Sequence, residues 1–535
     1  MARGGGELAD LAGAIGEGLR AAGLAPPELH ELARDMAHRG LTAELARAVF
    51  AEARAKRPKT AHVDGFLFLL GEGVDELRLR GNGGSTAAKR ELDAVMAFLD
   101  AEAAKGKADP GMLMALARTL TFAGMAPPAA LQEAMIAGMD AAAQRSSSAT
   151  GPKQMQADLD KIALEFGDDP FRIHTELAAM AGAFPVEHRS ALIHGVGMSA
   201  SATVRAAGLG FVLDPEDRCA LVALEAAHEA AQRFVPEAHT VARLVRMRPW
   251  LPATRRAATD QLIAHLRRKA PTPAAQTHGA VKQWFATPAD GAGAQSLFAL
   301  IKDAKMWTVA SVLVKHAEGV CDAWVADGMS KREADGVAAR VVEEAEAVEV
   351  TGDFFTQRIG DALAMNAEAA PPPFGLVQVL ETIAADALPP RAMAPTELCE
   401  ALLAGLPADQ TGAEALAHAH ATATRWGERI GTVETWFEAD EVVETLLSPI
   451  RGRKKRAAAV LAEILPPRRA FWAGRVAWTA AALHAKAGLD PIVTSLCIDM
   501  ALVGRSIASE APLADMPLMR QIASDTVRVF EGRDF

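Results

Sequence analysis

The sequence predicts an all-α protein that is built as an irregular array of helical hairpins. Apolar residues recur at helical spacing along most of the chain, as at Leu8, Leu11, Ile15 and Leu19. Half of the residues are hydrophobic and only 5% are aromatic, and the strong helix former Ala dominates the apolar fraction. Small apolar side chains let helices pack closely, so these observations favour a helical core.

A five-residue motif, A-G-x-x-P, predicts the joints between successive helices. Its Gly suits the left-handed position after one helix, and its Pro suits the start of the next. The motif occurs at 22–26, 123–127, 181–185 and 487–491, with a shortened form at Gly405-Leu406-Pro407. The copies are unevenly spaced, so they predict hairpins without a strict repeat.

Helix starts are marked by a second pattern. Asp is a good N-cap, and Pro at the first helical position loses no helical hydrogen bond. Ser330 and Glu333 have the spacing of a capping box. We therefore expect about 25 helices of about 10–20 residues with short connections. The Asp-Pro pairs are Asp109-Pro110, Asp169-Pro170, Asp214-Pro215 and Asp490-Pro491.

Three segments interrupt the helical pattern. Residues 71–85 contain an alternating stretch, Glu76 to Arg80, which predicts one short β element near 74–80 followed by a Gly-rich loop. Residues 144–154 are small and polar, and three prolines stand at 371–373. These breaks predict an N-terminal helical domain at 1–145, a central helical region at 153–369 and a C-terminal helical domain at 374–535.

Composition limits the classes of protein that fit. The net charge is -11 and the pI is about 5.8, which argues against nucleic-acid binding over the whole surface. Four widely spaced cysteines do not form a zinc or disulfide pattern. We see no signal peptide, and uninterrupted apolar runs are too short to span a bilayer. The sequence therefore predicts a cytoplasmic protein with no membrane association.

Part of the chain resembles HEAT-type helical repeats. The residues that carry the resemblance are Asp214, Arg218 and Ala220, which follow the common Asp-x-x-x-Arg-x-Ala pattern, with Val204-Arg205-Ala206-Ala207 before them and Arg255-Arg256-Ala257-Ala258 after them. The resemblance covers residues 201–268. It implies a HEAT-like α-solenoid with a concave binding surface, and it implies no activity.

No local motif predicts a catalytic or metal site. His228-Glu229 begins a zinc-protease-like helix, but Gln232 stands where the second imidazole is needed. His418 and His420 point to different faces of a helix, so they do not share a metal. We therefore assign no catalytic residue, cofactor or metal, although a site assembled from distant residues remains open.

The Gly-rich loop is a candidate anion site, formed by Gly83, Gly84, Ser85 and Thr86. Free backbone amides at a helix N-terminus attract anions, and Lys89 and Arg90 follow. The loop lacks the Gly-Lys-Ser/Thr of a phosphate-binding P-loop. A flexible turn with a Ser or Thr cap explains the same residues and is favoured.

Two basic clusters, at 243–269 and 451–478, are candidates for nucleic-acid binding. Aromatic residues accompany the second cluster, and Trp472 and Trp478 do not share one helical stripe, so at least one is expected at the surface. The alternative is that the cations pair with acidic runs while the tryptophans fill the core. The candidate residues are Arg243, Arg246, Arg255, Arg256, Arg267, Arg268, Arg453, Lys454, Lys455 and Arg456.

These observations favour a non-catalytic helical-repeat scaffold that binds another protein through grooves between helices. The alternative is a nucleic-acid-binding helical repeat that uses the two basic clusters. An enzyme is less favoured because no catalytic group has a local partner in the sequence.

Overall fold

The computed structural model describes residues 4–22, 27–82, 85–145, 151–167, 169–269, 279–485 and 491–532. These residues form two compact units. Unit 1 contains the described residues up to Phe211 together with Glu225–Ala227, and unit 2 contains Val212–Leu224 and His228 onward.

Unit 1 is helical, and one long helix, Thr60–Asn82, organises it. This helix, α4, contacts α1, α2, α3, α5 and α6. Leu45, Leu69, Leu99 and Leu116 are fully buried in the core around it. The helices of unit 1 are α1 (Gly4–Ala22), α2 (Pro27–His38), α3 (Thr42–Ala53), α4 (Thr60–Asn82), α5 (Thr86–Ala104), α6 (Pro110–Phe122), α7 (Ala129–Arg145), α8 (Gly151–Phe166), α9 (Pro170–Gly182), α10 (Val186–Gly197) and α11 (Ala202–Gly208).

The short β element predicted near 74–80 is wrong, because these residues belong to α4. Leu70, Val74 and Leu77 are fully buried, and their spacing of four and three residues places them on one helical face. The alternation from Glu76 to Arg80 covers only one turn of that helix. The burial of three side chains at helical spacing favours the helix more strongly than this short alternation favours a strand.

Helices α1 and α4 cross at very short distance. A Cβ atom built on Gly16 would lie 1.9 Å from the carbonyl oxygen of Ala61, and one built on Gly65 would lie 1.8 Å from that of Ala12. Only glycine permits this approach of the two backbones. The small residues of the sequence therefore set the packing distance of the hairpin.

Unit 2 combines helices with a β-sheet. Of helix α12, Glu225–Ala227 belong to unit 1 and the other residues belong to unit 2. The further helices are α12 (Asp217–Arg233), α13 (Thr240–Met247), α14 (Ala253–Leu266), α15 (Lys331–Glu344), α16 (Gly352–Asn366), α17 (Gly375–Thr382), α18 (Pro395–Leu403), α19 (Ala408–Thr411), α20 (Ala413–Ala423), α21 (Glu441–Leu447), α22 (Arg453–Ala459), α23 (Arg469–His484), α24 (Pro491–Ala508) and α25 (Pro517–Gly532).

A five-stranded antiparallel sheet corrects the all-α prediction. The sheet lies inside the region predicted as the central helical domain, and its strand order is β4-β3-β2-β1-β5. The protein is therefore a mixed α and β protein, and a purely helical solenoid does not describe it. The strands are β1 (Ala280–Ala286), β2 (Ala294–Asp303), β3 (Met306–Lys315), β4 (Gly319–Met329) and β5 (Val348–Glu349).

Local sequence explains why this region forms strands. Trp307, Val309, Val312 and Val314 are buried along β3, and β-branched and aromatic side chains pack well on a pleated surface. Gly293 lies in the turn between β1 and β2 with a φ of 76°. The average composition of the whole chain is Ala-rich and does not show this local enrichment.

Helices cover both faces of the sheet. Ala334 of α15 packs with Phe285, Leu300 and Trp307 on one face. Helices α16 and α17 contact β3 and β4, and a Cβ on Gly375 of α17 would lie 1.9 Å from the carbonyl oxygen of Ala323. The sheet thus forms the inner layer of a three-layer arrangement.

Several predicted caps are confirmed. The side chains of Asp109, Asp169 and Ser330 each accept a hydrogen bond from a backbone N–H at the start of a helix, and Ser330 and Glu333 complete the capping box. The prediction for Asp214 is wrong, because its carboxylate accepts from the amide of Glu216, which is the N-cap of α12. Asp490 lies outside the described residues.

The predicted glycine joints have mixed outcomes. Gly124 and Gly405 have left-handed φ values of 71° and 79°, as expected after a helix. Gly182 is instead the last residue of α9, and a Cβ there would lie 2.8 Å from Cγ2 of Thr121. Close packing therefore explains Gly182. The joints at 22–26 and 487–491 fall largely outside the described residues.

Helix α24 is the one helix among the described residues that is long and apolar enough to cross a membrane. It contacts α18, α20 and α23. Length and composition do not distinguish a membrane span from a core helix, so the predicted lack of membrane association stays a prediction.

Candidate functional site

The first basic cluster begins with two arginines that contact one carboxylate. Arg243 donates two hydrogen bonds to Glu381, of 3.0 and 3.1 Å, and Nη1 of Arg246 lies 3.6 Å from the same side chain. Arg243 is 7% exposed. These guanidinium groups connect α13 to α17 and are partly withdrawn from solvent.

Arg255 is a buried structural cation. It is 2% exposed, and it donates to Asp217 at 2.6 Å and to the carbonyl oxygens of Asp214 and Pro215 at 2.6 and 3.0 Å. Arg256 donates to the carbonyl oxygen of Leu251 at 2.8 Å. Both arginines therefore satisfy backbone carbonyls where helices end.

The remaining candidate cations divide into paired and exposed groups. Arg453 and Arg456 both contact the carboxylate of Glu531, at 2.6 and 3.2 Å. Arg267, Arg268, Lys454 and Lys455 are exposed. Among the candidate cations of the described residues, only these last four are exposed with neither a salt bridge nor a hydrogen bond to a backbone carbonyl.

The aromatic residues of the second cluster lie in the core. Trp472 is 0% and Trp478 is 5% exposed, so the expectation that one of them reaches the surface is wrong. Trp472 donates its ring N–H to Glu438 at 2.8 Å, and Arg468 contacts Glu438 and Asp440. The acidic run pairs with the basic run here, as the alternative interpretation expects.

Of the Gly-rich candidate anion site, Ser85 and Thr86 lie among the described residues. Gly83 and Gly84 lie outside the described residues. Ser85 is the N-cap of α5 and accepts a hydrogen bond from the amide of Ala88 at 3.2 Å, and Thr86 is the first residue of that helix. The cap uses one of the amides that an anion would need.

An open groove lies between α20 and α24 in unit 2. One part of it has a cavity volume of about 560 Å³ and the adjoining part about 180 Å³. His418, Ser495 and Asp499 line both parts, so the two form one continuous depression. The other lining residues are Gln410, Ala415, Thr422, Arg425, Trp426, Glu428, Arg429, Pro491, Thr494, Leu496 and Ile498.

Asp499 is the principal electrostatic feature of this groove. Burial raises its pKa above the ordinary value, and this effect outweighs the hydrogen bond from Thr422 and the charges of His418 and Arg429, which lower it. The hydroxyl of Thr422 donates to Oδ2 of Asp499 at 3.1 Å. A half-buried carboxylate with one donor has lone pairs left to accept hydrogen bonds from a ligand.

The groove contains the residue types of a catalytic triad without its geometry. Within the described part of the chain, no hydrogen bond joins His418 to Ser495 or to Asp499. A Ser nucleophile needs a base within hydrogen-bond reach and a third group that orients the base. The arrangement is therefore suited to hydrogen bonding with a ligand.

Sequence reasoning missed this groove because its residues are distant along the chain. Ser495 and Asp499 are four residues apart and share one face of α24, but His418 and Thr422 lie on α20. His420, two residues after the groove residue His418, contacts Ser506 at 3.2 Å. The spacing of Ser495 and Asp499 was the one local sign of a shared polar face.

Two segments of the chain are similar to known protein families. Residues 396–531 match the family described as the Y4lR C-terminal helical domain, and residues 185–270 match the Y4lR second domain. The groove lies within the first segment, and the sheet lies outside both.

A relative carries the same name. The chain is 28% identical over 304 residues to the uncharacterized protein y4lR of Sinorhizobium fredii. The match covers 56% of this chain and 57% of that protein, so it spans less than two thirds of the relative. No solved structure matches the chain.

Proposed function

We propose that this protein is a non-catalytic scaffold that binds another protein through the groove between α20 and α24. The observation that carries the proposal is the groove itself, with its volume of about 560 Å³ in the larger part and its lining of hydrogen-bonding side chains. The resemblance of residues 201–268 to HEAT-type repeats supports the same type of function, because such repeats bind other macromolecules. We propose the cytoplasm as its location.

The chemistry of the groove suggests the type of partner segment. His418, Ser495, Thr422 and Asp499 offer donors and acceptors at close intervals, while Ile498 adds an apolar contact. Such a lining suits a peptide segment with exposed backbone amides or with a basic side chain that donates a hydrogen bond to Asp499.

Nucleic-acid binding is the second proposal and has less support. Arg267, Arg268, Lys454 and Lys455 are the candidate cations that remain for it, because the others contact carboxylates or backbone carbonyls. Affinity for nucleic acid grows with the number of phosphates that are neutralised, so four exposed cations support modest binding at most.

Site-specific crosslinking tests the scaffold proposal. A photoreactive amino acid at Ser495 would report on the groove, and one at Val442, which is 60% exposed, would serve as the control. We expect a protein that crosslinks from position 495 in cells and not from 442. Equal crosslinking from both positions would contradict the proposal.

A purified candidate partner then allows a quantitative test. Ser495→Trp places a bulky ring in the groove at an exposed position, and Val442→Trp is the matched control. We expect Ser495→Trp to weaken binding by roughly tenfold or more, as a disturbed interface centre does. Unchanged affinity would exclude the groove as the binding surface.

A further inference from the structure

Arg475 is a buried guanidinium in the middle of α23. It is 3% exposed. Its Cζ atom lies 3.9 Å from the ring centroid of Phe471 and 4.1 Å from that of Trp472. The faces of the two rings satisfy part of the cation electrostatically. They leave its N–H donors, which point outward in the guanidinium plane, without acceptors.

No donor atom of this guanidinium has a hydrogen-bond partner among the described residues. Nε, Nη1 and Nη2 are all buried and unpaired. Other buried arginines of unit 2 are satisfied: Arg358, for example, donates to Gln295 at 2.8 Å and to Asp361 at 2.9 Å. Because buried polar groups are nearly always paired, a fully unpaired guanidinium requires an explanation.

The acidic side chains near Arg475 are engaged elsewhere. The charges of Glu438 and Asp290 act on Arg475, but Glu438 bonds Arg468 and Trp472. Oδ1 of Asp290 accepts from the amides of Ala292 and Ala294 at 2.9 and 2.7 Å. Neither carboxylate accepts a hydrogen bond from Arg475, although a pair of carboxylate oxygens is what a guanidinium binds best.

Burial disfavours the unpaired positive charge of Arg475. Burial lowers the pKa of Arg475 to about 9, and the nearby charge of Arg468 acts in the same direction against the two carboxylates. Burial, followed by the charges of Arg358 and Arg475, lowers the pKa of His316 to about 4. His316 is thus neutral at pH 7. The one N–H of its neutral ring can donate a hydrogen bond to an anion without adding positive charge.

The turn between β1 and β2 lies against this position. The imidazole of His316 packs on Phe471 with ring centroids 4.6 Å apart. A Cβ on Gly293 would lie 2.9 Å from Cβ of His316 and 3.1 Å from Cε2 of Phe471. The turn, the residue that follows β3 and α23 therefore pack together around Phe471.

We propose that Arg475 anchors a buried binding site for a small oxyanion, which its unpaired N–H donors hold in a bidentate manner beside Phe471, Trp472 and His316. Carboxylate and phosphate groups share the required pair of oxygens. Because the guanidinium is enclosed, the ligand is an inorganic ion or a small metabolite and is not part of a macromolecule. This site is separate from the groove between α20 and α24.

Anion-dependent thermal unfolding of the full chain tests the site. Phosphate, sulfate and acetate would be titrated at constant ionic strength against chloride, with tryptophan fluorescence as the readout. We expect at least one oxyanion to raise the Tm of unit 2 saturably, since a ligand that binds only the folded state stabilises it. The order of the three ions distinguishes a carboxylate from a phosphate ligand. If no oxyanion raises Tm beyond chloride, the proposal is wrong.

Substitution of Arg475 locates the effect. Arg475→Met keeps much of the apolar stem and removes the fork, Arg475→Lys keeps the charge without the fork, and Arg528→Met removes a cation that is 65% exposed. We expect the oxyanion-dependent rise in Tm to disappear in Arg475→Met, to weaken in Arg475→Lys and to persist in Arg528→Met.

Other results of this comparison count against the site. An unchanged rise in Arg475→Met would place anion binding elsewhere and would contradict the proposal. If Arg475→Met does not fold, Arg475→Lys replaces it in this comparison. Isothermal titration of the wild-type protein with the same ions then measures binding directly. Absence of a heat of binding would reject the site.

Discussion

Glu346 binds the backbone of Thr432. The carboxylate of Glu346 accepts hydrogen bonds from the amide of Thr432 at 2.7 Å, from its hydroxyl at 2.5 Å and from the amide of Gly431 at 2.7 Å. Glu346 itself has a left-handed φ of 53°, an unusual conformation for a residue with a side chain. A charged acceptor thus caps the 3-10 turn at Gly431–Thr435 and joins it to the segment that follows α15.

Replacing Glu346 should destabilise unit 2. We expect Glu346→Ala to lower the free energy of unfolding by about 1–2 kcal/mol. This is less than three buried hydrogen bonds to a charged group would contribute, because the carboxylate is partly exposed to solvent. Urea unfolding followed by tryptophan fluorescence measures the change. Glu344→Ala, at an exposed neighbouring carboxylate, is the control and should have little effect.

The same carboxylate predicts a pH dependence. Burial raises the pKa of Glu346, but the hydrogen bonds from Thr432 and Gly431 outweigh it and hold the pKa below the ordinary value of 4.5. Its stabilisation is therefore complete above that value and is lost as the pH falls through the lower folded-state pKa. The stability difference between wild type and Glu346→Ala should shrink in strong acid. A constant difference would show that the charge contributes nothing.

Arg255 should be a structural residue whatever the protein binds. Arg255→Ala leaves the carbonyls of Asp214 and Pro215 without their donor, so we expect a loss of about 2–4 kcal/mol. Asp217 is 63% exposed and can be rehydrated, which limits the cost. Arg268→Ala, at an exposed position, should leave the urea midpoint unchanged. Equal effects of the two substitutions would contradict this assignment.

The nucleic-acid proposal has a test that avoids structural arginines. Arg267, Arg268, Lys454 and Lys455 can all be changed to Glu with little risk to the fold, since they are exposed. If the scaffold proposal is right, neither wild type nor this variant should be retained on DNA or RNA at physiological salt. Retention of the wild type that falls steeply with salt and disappears in the variant would favour nucleic-acid binding. The matched charge control reverses Lys302, Lys305, Arg332 and Arg340, which are also exposed.

Two glycines of α1 should respond in opposite ways to the same substitution. Gly16→Ala would force its Cβ against the carbonyl oxygen of Ala61 at 1.9 Å and should cost about 1–3 kcal/mol. Gly18 has nothing within 4 Å of a built Cβ, so Gly18→Ala should stabilise the helix by up to about 1 kcal/mol. All tryptophans lie at or beyond Trp250, so tryptophan fluorescence does not report on α1 and α4. Amide hydrogen exchange in these two helices measures the change in stability instead. Similar exchange in both variants would refute the close crossing.

Asp499 should reduce the stability of unit 2 at neutral pH. A carboxyl whose pKa is raised on folding stabilises the fold only while it is protonated, and this contribution is lost as the pH rises through the folded-state pKa. Asp499→Asn should therefore raise stability at neutral pH, by less than about 1 kcal/mol because the group is half exposed, and should have no such effect in acid. Thr422→Val removes the donor to the carboxylate and should lower stability at neutral pH. A destabilised Asp499→Asn at neutral pH would contradict the electrostatic description of the groove.

Local chemistry made part of the fold predictable. Asp109, Asp169 and Ser330 act through hydrogen bonds that span three residues or fewer, so each cap is visible in a short segment of sequence. The strands were predictable in principle from Trp307, Val309, Val312 and Val314, whose local enrichment the Ala-rich average concealed. Asp214 is not an N-cap, because an Asp-Pro pair also suits the turn that precedes a helix.

The sequence by itself determined several helix ends, at Asp109, Asp169, Ser330, Gly124 and Gly405, since caps and glycine joints act between near neighbours. The tertiary structure alone decided which charges are available. Arg243 meets Glu381, 138 residues away, whereas Arg475 meets no acceptor among the described residues, and both are the same residue type in a basic run. Pairing, burial and the groove around Asp499 depend on which distant helices come together, and that information is spread over the whole chain.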